Sequence, residues 1–141
     1  MTSERGSVTL WVLGLCIAVL MLGGISLDLW RGLAVRREIA AVADAAAVAA
    51  ASGIDEGAWR TTGLLRLDQA KAAGEALRVA ASHPLSGSLV GRPVVSVAPD
   101  GSSVSVTVEG WVEWGLLRLV APGEPGATVR ATGVAEPRLL R

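Results

Sequence analysis

The chain has 141 residues, with 13 acidic and 13 basic side chains and therefore no net charge at neutral pH. The charges balance both before and after residue 53, so neither part offers the basic face that nucleic-acid binding requires. The length allows one small domain beyond an anchor. A single cysteine, Cys16, excludes an intrachain disulfide.

The first predicted element is a transmembrane helix over residues 7–27, preceded by a short leader-like segment over residues 1–6. The run contains no charged residue, and as a helix it is about 31 Å long, close to the roughly 30 Å hydrocarbon core of a bilayer. A cleaved secretory signal and a lipid anchor on Cys16 are the alternatives. The run is longer than the apolar core of a signal peptide and ends without a small-x-small cleavage site, and Leu15 precedes Cys16 where a lipidation motif has a small residue. We therefore favour a retained span.

Residues 28–52 continue without proline and are rich in alanine, which predicts a helical extension of the span. Val35, Ile39 and Val42 follow at spacings of four and three, so they fall on one helical face. This stripe is the predicted helix-packing interface. Gly53 is the expected end of the helix.

Residues 53–141 are predicted to form a small α+β domain. A loop over residues 53–63 is followed by a second helix at about residues 68–82, with Asp68 as its N-cap and the His83-Pro84 pair as its end. Its expected apolar face consists of Ala70, Ala73, Leu77, Ala80 and Ala81. We expect it to pack on the alanine-rich part of the first helix.

Three strands are predicted at residues 94–98, 103–114 and 128–135, with residues 116–120 as a short helical or irregular excursion. In the middle strand, Val104, Val106 and Val108 alternate with polar residues, which is typical of an antiparallel sheet with one buried face. Helices followed by a three-stranded antiparallel sheet define an α+β fold.

The candidates for chemistry are few. His83 is the only histidine, and one imidazole without nearby cysteines does not make a zinc site. Glu109 and Glu113 share a strand face, but charged side chains there also serve solubility. No glycine-rich phosphate motif occurs. We therefore predict no enzyme, cofactor, metal or small-molecule substrate. Trp111 lies on the same polar face, where contact with a partner and simple packing both remain open.

The N-terminal third resembles the TadE/TadG-like family of tight-adherence (Flp) pilus assembly. The resemblance covers residues 4–52 and rests on three features in order: the Arg5-Gly6-Ser7 junction, Asp28 just after the span, and the alanine tract around Asp44. It implies a pseudopilin-like, single-pass protein of the bacterial inner membrane. Its partners would be the lipid bilayer and other pilus or secretion-assembly subunits.

The resemblance also implies cleavage by a prepilin peptidase between Gly6 and Ser7. This sequence departs from the pilin pattern at one position, because Trp11 stands where pilin-like segments carry a glutamate five residues after the cut. The missing glutamate counts against both cleavage by the peptidase and entry into a filament.

Two alternatives concern orientation and function. Arg31, Arg36 and Arg37 follow the span while Arg5 precedes it, so the positive-inside rule alone favours a cytoplasmic C-terminal domain. The resemblance implies an extracytoplasmic domain, which we adopt. The alternative function is a membrane-tethered envelope binding module, unconnected with pili, that uses Trp111.

Overall fold

The computed structural model describes residues 4–120, 123 and 125–138 of the chain. It confirms an α+β fold with a long N-terminal helix and a three-stranded antiparallel sheet. In chain order the elements are α1 (Glu4–Ala50), α2 (Glu56–Thr62), α3 (Gln69–Ser82), a 3₁₀ turn (Pro84–Ser88), β1 (Val94–Val97), β2 (Val104–Glu113), α4 (Leu117–Val120) and β3 (Gly126–Ala135).

The chain divides into two compact units. The first combines Met1–Ala34 with Glu113–Ala127, and the second combines Val35–Val112 with Thr128–Arg141. Helix α1 contributes its apolar first part to the first unit and its alanine-rich second part to the second. Each unit is therefore built from segments that are far apart in the sequence.

The second unit has a core of small and β-branched residues. Ile39 and Val42 of α1 are buried together with Val104, Val106 and Val108 of β2. Alanines complete this core from α1 and α3, namely Ala43, Ala46, Ala47, Ala50, Ala72, Ala76 and Ala80. Because alanine has little bulk, helix and sheet backbones come close together in this unit.

Helix α2 corrects the predicted loop over residues 53–63. Asp55 caps its N-terminus, because Oδ1 accepts hydrogen bonds from the backbone N–H groups of Gly57 (2.9 Å) and Ala58 (3.0 Å). Gly63 ends it with φ of 69°, a left-handed conformation that favours glycine. An isolated antiparallel bridge between Ile54 and Leu67 closes the excursion. The two caps were present in the sequence, but the helix is only 7 residues long and has no apolar stripe to reveal it.

Helix α3 begins after Asp68, as predicted, and the Asp68 carboxylate accepts a hydrogen bond from the N–H of Lys71 at 2.9 Å. Its buried face differs in part from the prediction. Ala80 is buried as predicted, but Ala72 and Ala76 complete the buried face, in place of Ala70, Ala73 and Leu77. The helix carries alanine on several sides, so its sequence does not single out one face.

Gly53 lies in direct contact with the backbone of α3 in the second unit. A Cβ atom built on Gly53 would stand 2.6 Å from the Ala72 nitrogen, so the chain after α1 passes directly against the backbone of α3. This contact requires glycine at position 53 for reasons of space. The Asp68 N–H also donates to the Gly53 carbonyl at 2.8 Å.

The sheet has the strand order β1-β2-β3, with β1 antiparallel to β2. Val94 lies opposite Thr107 and Val97 opposite Val104. In β2, buried residues alternate with more exposed ones over the second unit, as predicted. Two side-chain pairs join β2 to β3 on the open face: the Thr107 and Thr132 hydroxyls are 2.9 Å apart, and Glu109 pairs with Arg130.

The outer edge of β1 is covered by a side chain. The Gln69 amide nitrogen donates to the Val95 carbonyl at 2.9 Å, and its oxygen accepts from the Val97 N–H at 3.0 Å. This amide therefore takes the place of a neighbouring strand, and it protects an edge that would otherwise offer unpaired backbone groups.

The turn between β1 and β2 is held by Asp100. Its Oδ1 accepts hydrogen bonds from the Ser102 N–H (3.0 Å) and from the Ser102 hydroxyl (2.7 Å). These bonds, the backbone one first, lower the pKa of Asp100 from its ordinary value of 3.8.

Candidate membrane and assembly interface

The first part of α1 presents an apolar surface on all its sides. From residue 7 onward, α1 is the one helix among the described residues that is long and apolar enough to cross a membrane. Leu10, Trp11 and Leu20 are each more than 70% exposed within the chain. A continuous apolar surface of this extent requires lipid or other apolar partners around it.

The predicted processing site lies at the start of this helix. Gly6 and Ser7 both have helical backbone, and Ser7 is exposed. Trp11, one turn further on, is 79% exposed and lines a shallow groove with Leu10, Gly14, Leu15 and Ala18. A Cβ atom on Gly14 would meet nothing within 4 Å, so the floor of this groove is open to a second helix.

Asp28 is the buried charged residue of the first unit, and its surroundings were not predicted. Only 4% of it is exposed, and Oδ2 accepts a hydrogen bond from the Leu117 N–H at 2.8 Å. Leu117 is the first residue of α4. The position of Asp28 just after the span predicts a residue at the membrane interface but not its burial. The contact joins residues 89 positions apart, and no local pattern reveals it.

Gly24, Asp28 and Gly32 follow at intervals of four and form one face of α1, which receives residues 114–117. A Cβ atom on Gly24 would overlap the Leu116 side chain, and one on Gly32 would stand 3.7 Å from the Trp114 ring. A Cβ atom on Gly115 would stand 2.7 Å from Oδ1 of Asp28. Both sides of the contact therefore depend on the absence of side chains.

The predicted packing stripe of Val35, Ile39 and Val42 lies in the second unit. Ile39 and Val42 are buried in the unit's own core, and Val35 is partly buried against it. Ile39 packs against β2 at Gly110, where an added Cβ atom would overlap its Cδ1. These side chains contact the chain's own sheet.

Trp111 stands on the open face of the sheet and is 39% exposed. Glu109 on the same face is paired with Arg130, whose Nε donates to Oε1 at 2.7 Å, so this carboxylate is held by a cross-strand ion pair. His83 is the C-cap of α3 and is half-buried. Within the described part of the chain, no three His, Cys, Asp or Glu residues come together in a group that could hold a metal ion.

The described residues therefore define a class of protein that combines one apolar helix long enough to span a bilayer with a small α+β unit. Residues 6–53 match the Tad family of TadE/G-like Flp pilus-assembly proteins, which confirms the resemblance over this segment. The family consists of pilus-assembly components and is not a known enzyme family. In comparisons with curated proteins and with solved structures, nothing matches this chain. The family match ends at residue 53, three residues after the end of α1.

Proposed function

We propose that this protein is a single-pass, membrane-anchored, pseudopilin-like component of a Flp pilus or a related secretion-type assembly. The proposal rests on the overlap between the family match and the apolar helix α1. The family match over residues 6–53 includes almost all of α1 (Glu4–Ala50) and three residues beyond it. From residue 7 the first part of that helix exposes an uncharged apolar surface. The helix anchors the chain in the inner membrane, and the α+β unit stands on the extracytoplasmic side.

The proposed mode of action is helix packing in the bilayer, with no catalytic step. The groove around Gly14 and Ala18 supports this, since small residues spaced by four allow close approach of two helices in lipid. Trp11 removes the carboxylate that pilin-like segments carry at this position. Contact with a neighbouring subunit then depends on apolar packing and not on a buried charge.

The N-terminus of the protein isolated from its native membrane tests the processing step. Mass spectrometry that finds Ser7 as the first residue would support cleavage by a prepilin peptidase, and a Gly6→Val variant should then remain uncut. An intact terminus in the wild-type protein would contradict processing and leave a permanent anchor. A first residue beyond Leu27 would overturn the membrane anchor itself.

Photo-crosslinking in cells tests the assembly role. A photoreactive residue at position 11 should form a crosslink to another membrane subunit of the pilus assembly, whereas the same residue at Thr61, an exposed position of α2, should not. Deletion of the gene should abolish piliation. Normal piliation together with no crosslink from position 11 would overturn the proposal.

The second candidate is a membrane-tethered envelope binding module, favoured by the exposure of Trp111 on the open face of the sheet. A Trp111→Ala variant separates the two functions. Loss of one envelope partner with normal piliation would support the binding module, while normal partner capture would exclude a role for this side chain.

A further inference from the structure

We propose that residues 114–120 form a second contact with the lipid bilayer, held at the depth of the headgroups by Asp28. This inference rests on the proposed membrane anchor, and all the contacts that support it lie within the first unit. The occupant of this surface is the lipid itself, at the boundary between headgroups and acyl chains.

Residues 114–116 contact α1 in an order that runs toward the apolar run. Trp114 lies against Gly32, Gly115 against Asp28, and Leu116 against Gly24. The contacts of these three residues, which include the Trp114 ring and the Leu116 side chain, therefore extend over eight helical residues of α1, about 12 Å at about 1.5 Å per residue. Their order runs toward the apolar run. The Leu116 side chain thus reaches the level of the span, while the Leu117 backbone follows beside Asp28, directly after it.

The Leu116 side chain contacts α1 at a level that lies within the apolar run. Gly24 lies within the apolar run of residues 7–27, three residues and about 4.5 Å before its end. On the other faces of α1, Leu27 and Leu29 are exposed. A bilayer that covers Leu27 therefore also reaches the level at which Leu116, itself 39% exposed, lies against the helix.

The composition of residues 116–120 is typical of a segment at a membrane surface. The segment after Gly115 reads Leu-Leu-Arg-Leu-Val, four apolar residues around one base, and the Arg118 side chain is exposed. Apolar side chains that enter the interface, together with an arginine that reaches lipid phosphates, are typical of elements that lie on a membrane surface. The exposed Trp30 and Arg31 on α1 have the same character.

A segment in contact with lipid needs partners for its backbone N–H groups, because an unpaired N–H group is costly in an apolar layer. The Leu117 N–H donates to Asp28, and the Trp114 N–H donates to the Pro125 carbonyl at 3.1 Å. The Asp28 carboxylate thus satisfies the first N–H of α4 at the depth where water is scarce. In return, that N–H stabilises a charge near the bilayer.

Depth-dependent fluorescence quenching tests the proposal with the full chain in vesicles of phosphatidylethanolamine and phosphatidylglycerol. A Cys16→Ser chain receives one new cysteine, at Arg118, Leu117, Glu113 or Leu20, labelled with the environment-sensitive dye NBD. Lipids carrying a nitroxide on the headgroup should cause loss of emission at positions 117 and 118. The matched control at Glu113, the last residue of β2 and the one directly before this segment, should lose much less. Lipids with a nitroxide near the chain end should quench the label at position 20.

The outcomes separate the two proposals. Quenching at position 20 but not at positions 117 and 118 would overturn the lipid contact and leave the anchor intact. Failure to quench position 20 would overturn the anchor, and the lipid contact with it. Equal quenching at positions 113 and 118 would also contradict the inference, because it removes the inclination of the segment toward the bilayer.

Discussion

At the level of single residues, Gly133 of β3 lies directly against the backbone of α1. A Cβ atom there would stand 2.5 Å from the Ala43 carbonyl oxygen and 2.7 Å from the Asp44 nitrogen. A helix backbone cannot move aside as a flexible side chain can. We therefore expect Gly133→Ala to lower the free energy of unfolding by about 1–3 kcal/mol, the usual cost of overpacking a close contact. Urea unfolding of the full chain in detergent micelles, followed by tryptophan fluorescence, measures this.

The matched control is Gly74→Ala. Gly74 is exposed within α3, and a Cβ atom added there meets nothing within 4 Å. Alanine should raise stability at this site by about 0.5–1 kcal/mol, since glycine is unfavourable in a helix interior. An equal effect of the two substitutions would show that space at Gly133 is not limiting.

At the level of elements, Asp28 holds residues 114–117 on α1 through one carboxylate. In Asp28→Ala the Leu117 N–H loses its acceptor, and we expect its amide to exchange with deuterium about tenfold to a hundredfold faster, which corresponds to the roughly 1–3 kcal/mol of an unsatisfied polar group. Asp28→Asn retains an acceptor oxygen and should show a smaller increase. Hydrogen exchange of the full chain, read by mass spectrometry on peptides that cover residues 114–120, measures the change.

Asp44→Ala provides the control for this experiment, because Asp44 is an exposed aspartate on the same helix. It should leave exchange in residues 114–120 unchanged. Unchanged exchange in Asp28→Ala would mean that the hydrogen bond does not hold the segment.

The elements also show what the sequence could predict. The apolar run, the two-residue alternation of β2 and the Asp68 cap are local signals, and each was predicted correctly. The contact of Asp28 with Leu117 depends on how distant segments come together, and so does the buried face of α3, where Ala72 and not Ala73 meets the neighbouring backbone. Alanine and glycine carry little pattern information, because they fit a close contact and an open surface equally well.

At the level of the whole molecule, orientation in the membrane is the property on which charge and family resemblance disagree. Arg31, Arg36 and Arg37 are exposed after the span, and Arg118 adds a further positive charge to the first unit, whereas Arg5 alone precedes the span. The positive-inside rule would keep these arginines in the cytoplasm. A prepilin-like N-terminus is inserted by a dedicated route, however, and we expect that route to place the C-terminal unit outside the cytoplasm.

Labelling with a membrane-impermeant maleimide decides between these orientations. In spheroplasts that carry the Cys16→Ser chain, a cysteine at Thr61 should react before lysis. In the uncut Gly6→Val form of this chain, which retains residues 1–6, a cysteine at Thr2 should react only after lysis. The reverse pattern would place the C-terminal unit in the cytoplasm and would contradict both a pilus subunit contact outside the membrane and an envelope partner for Trp111. A triple variant with Arg31→Ser, Arg36→Ser and Arg37→Ser tests whether these charges determine the orientation in the membrane. If the dedicated route governs insertion, removal of the three charges leaves the labelling pattern unchanged. If charge governs it, their removal alters the pattern.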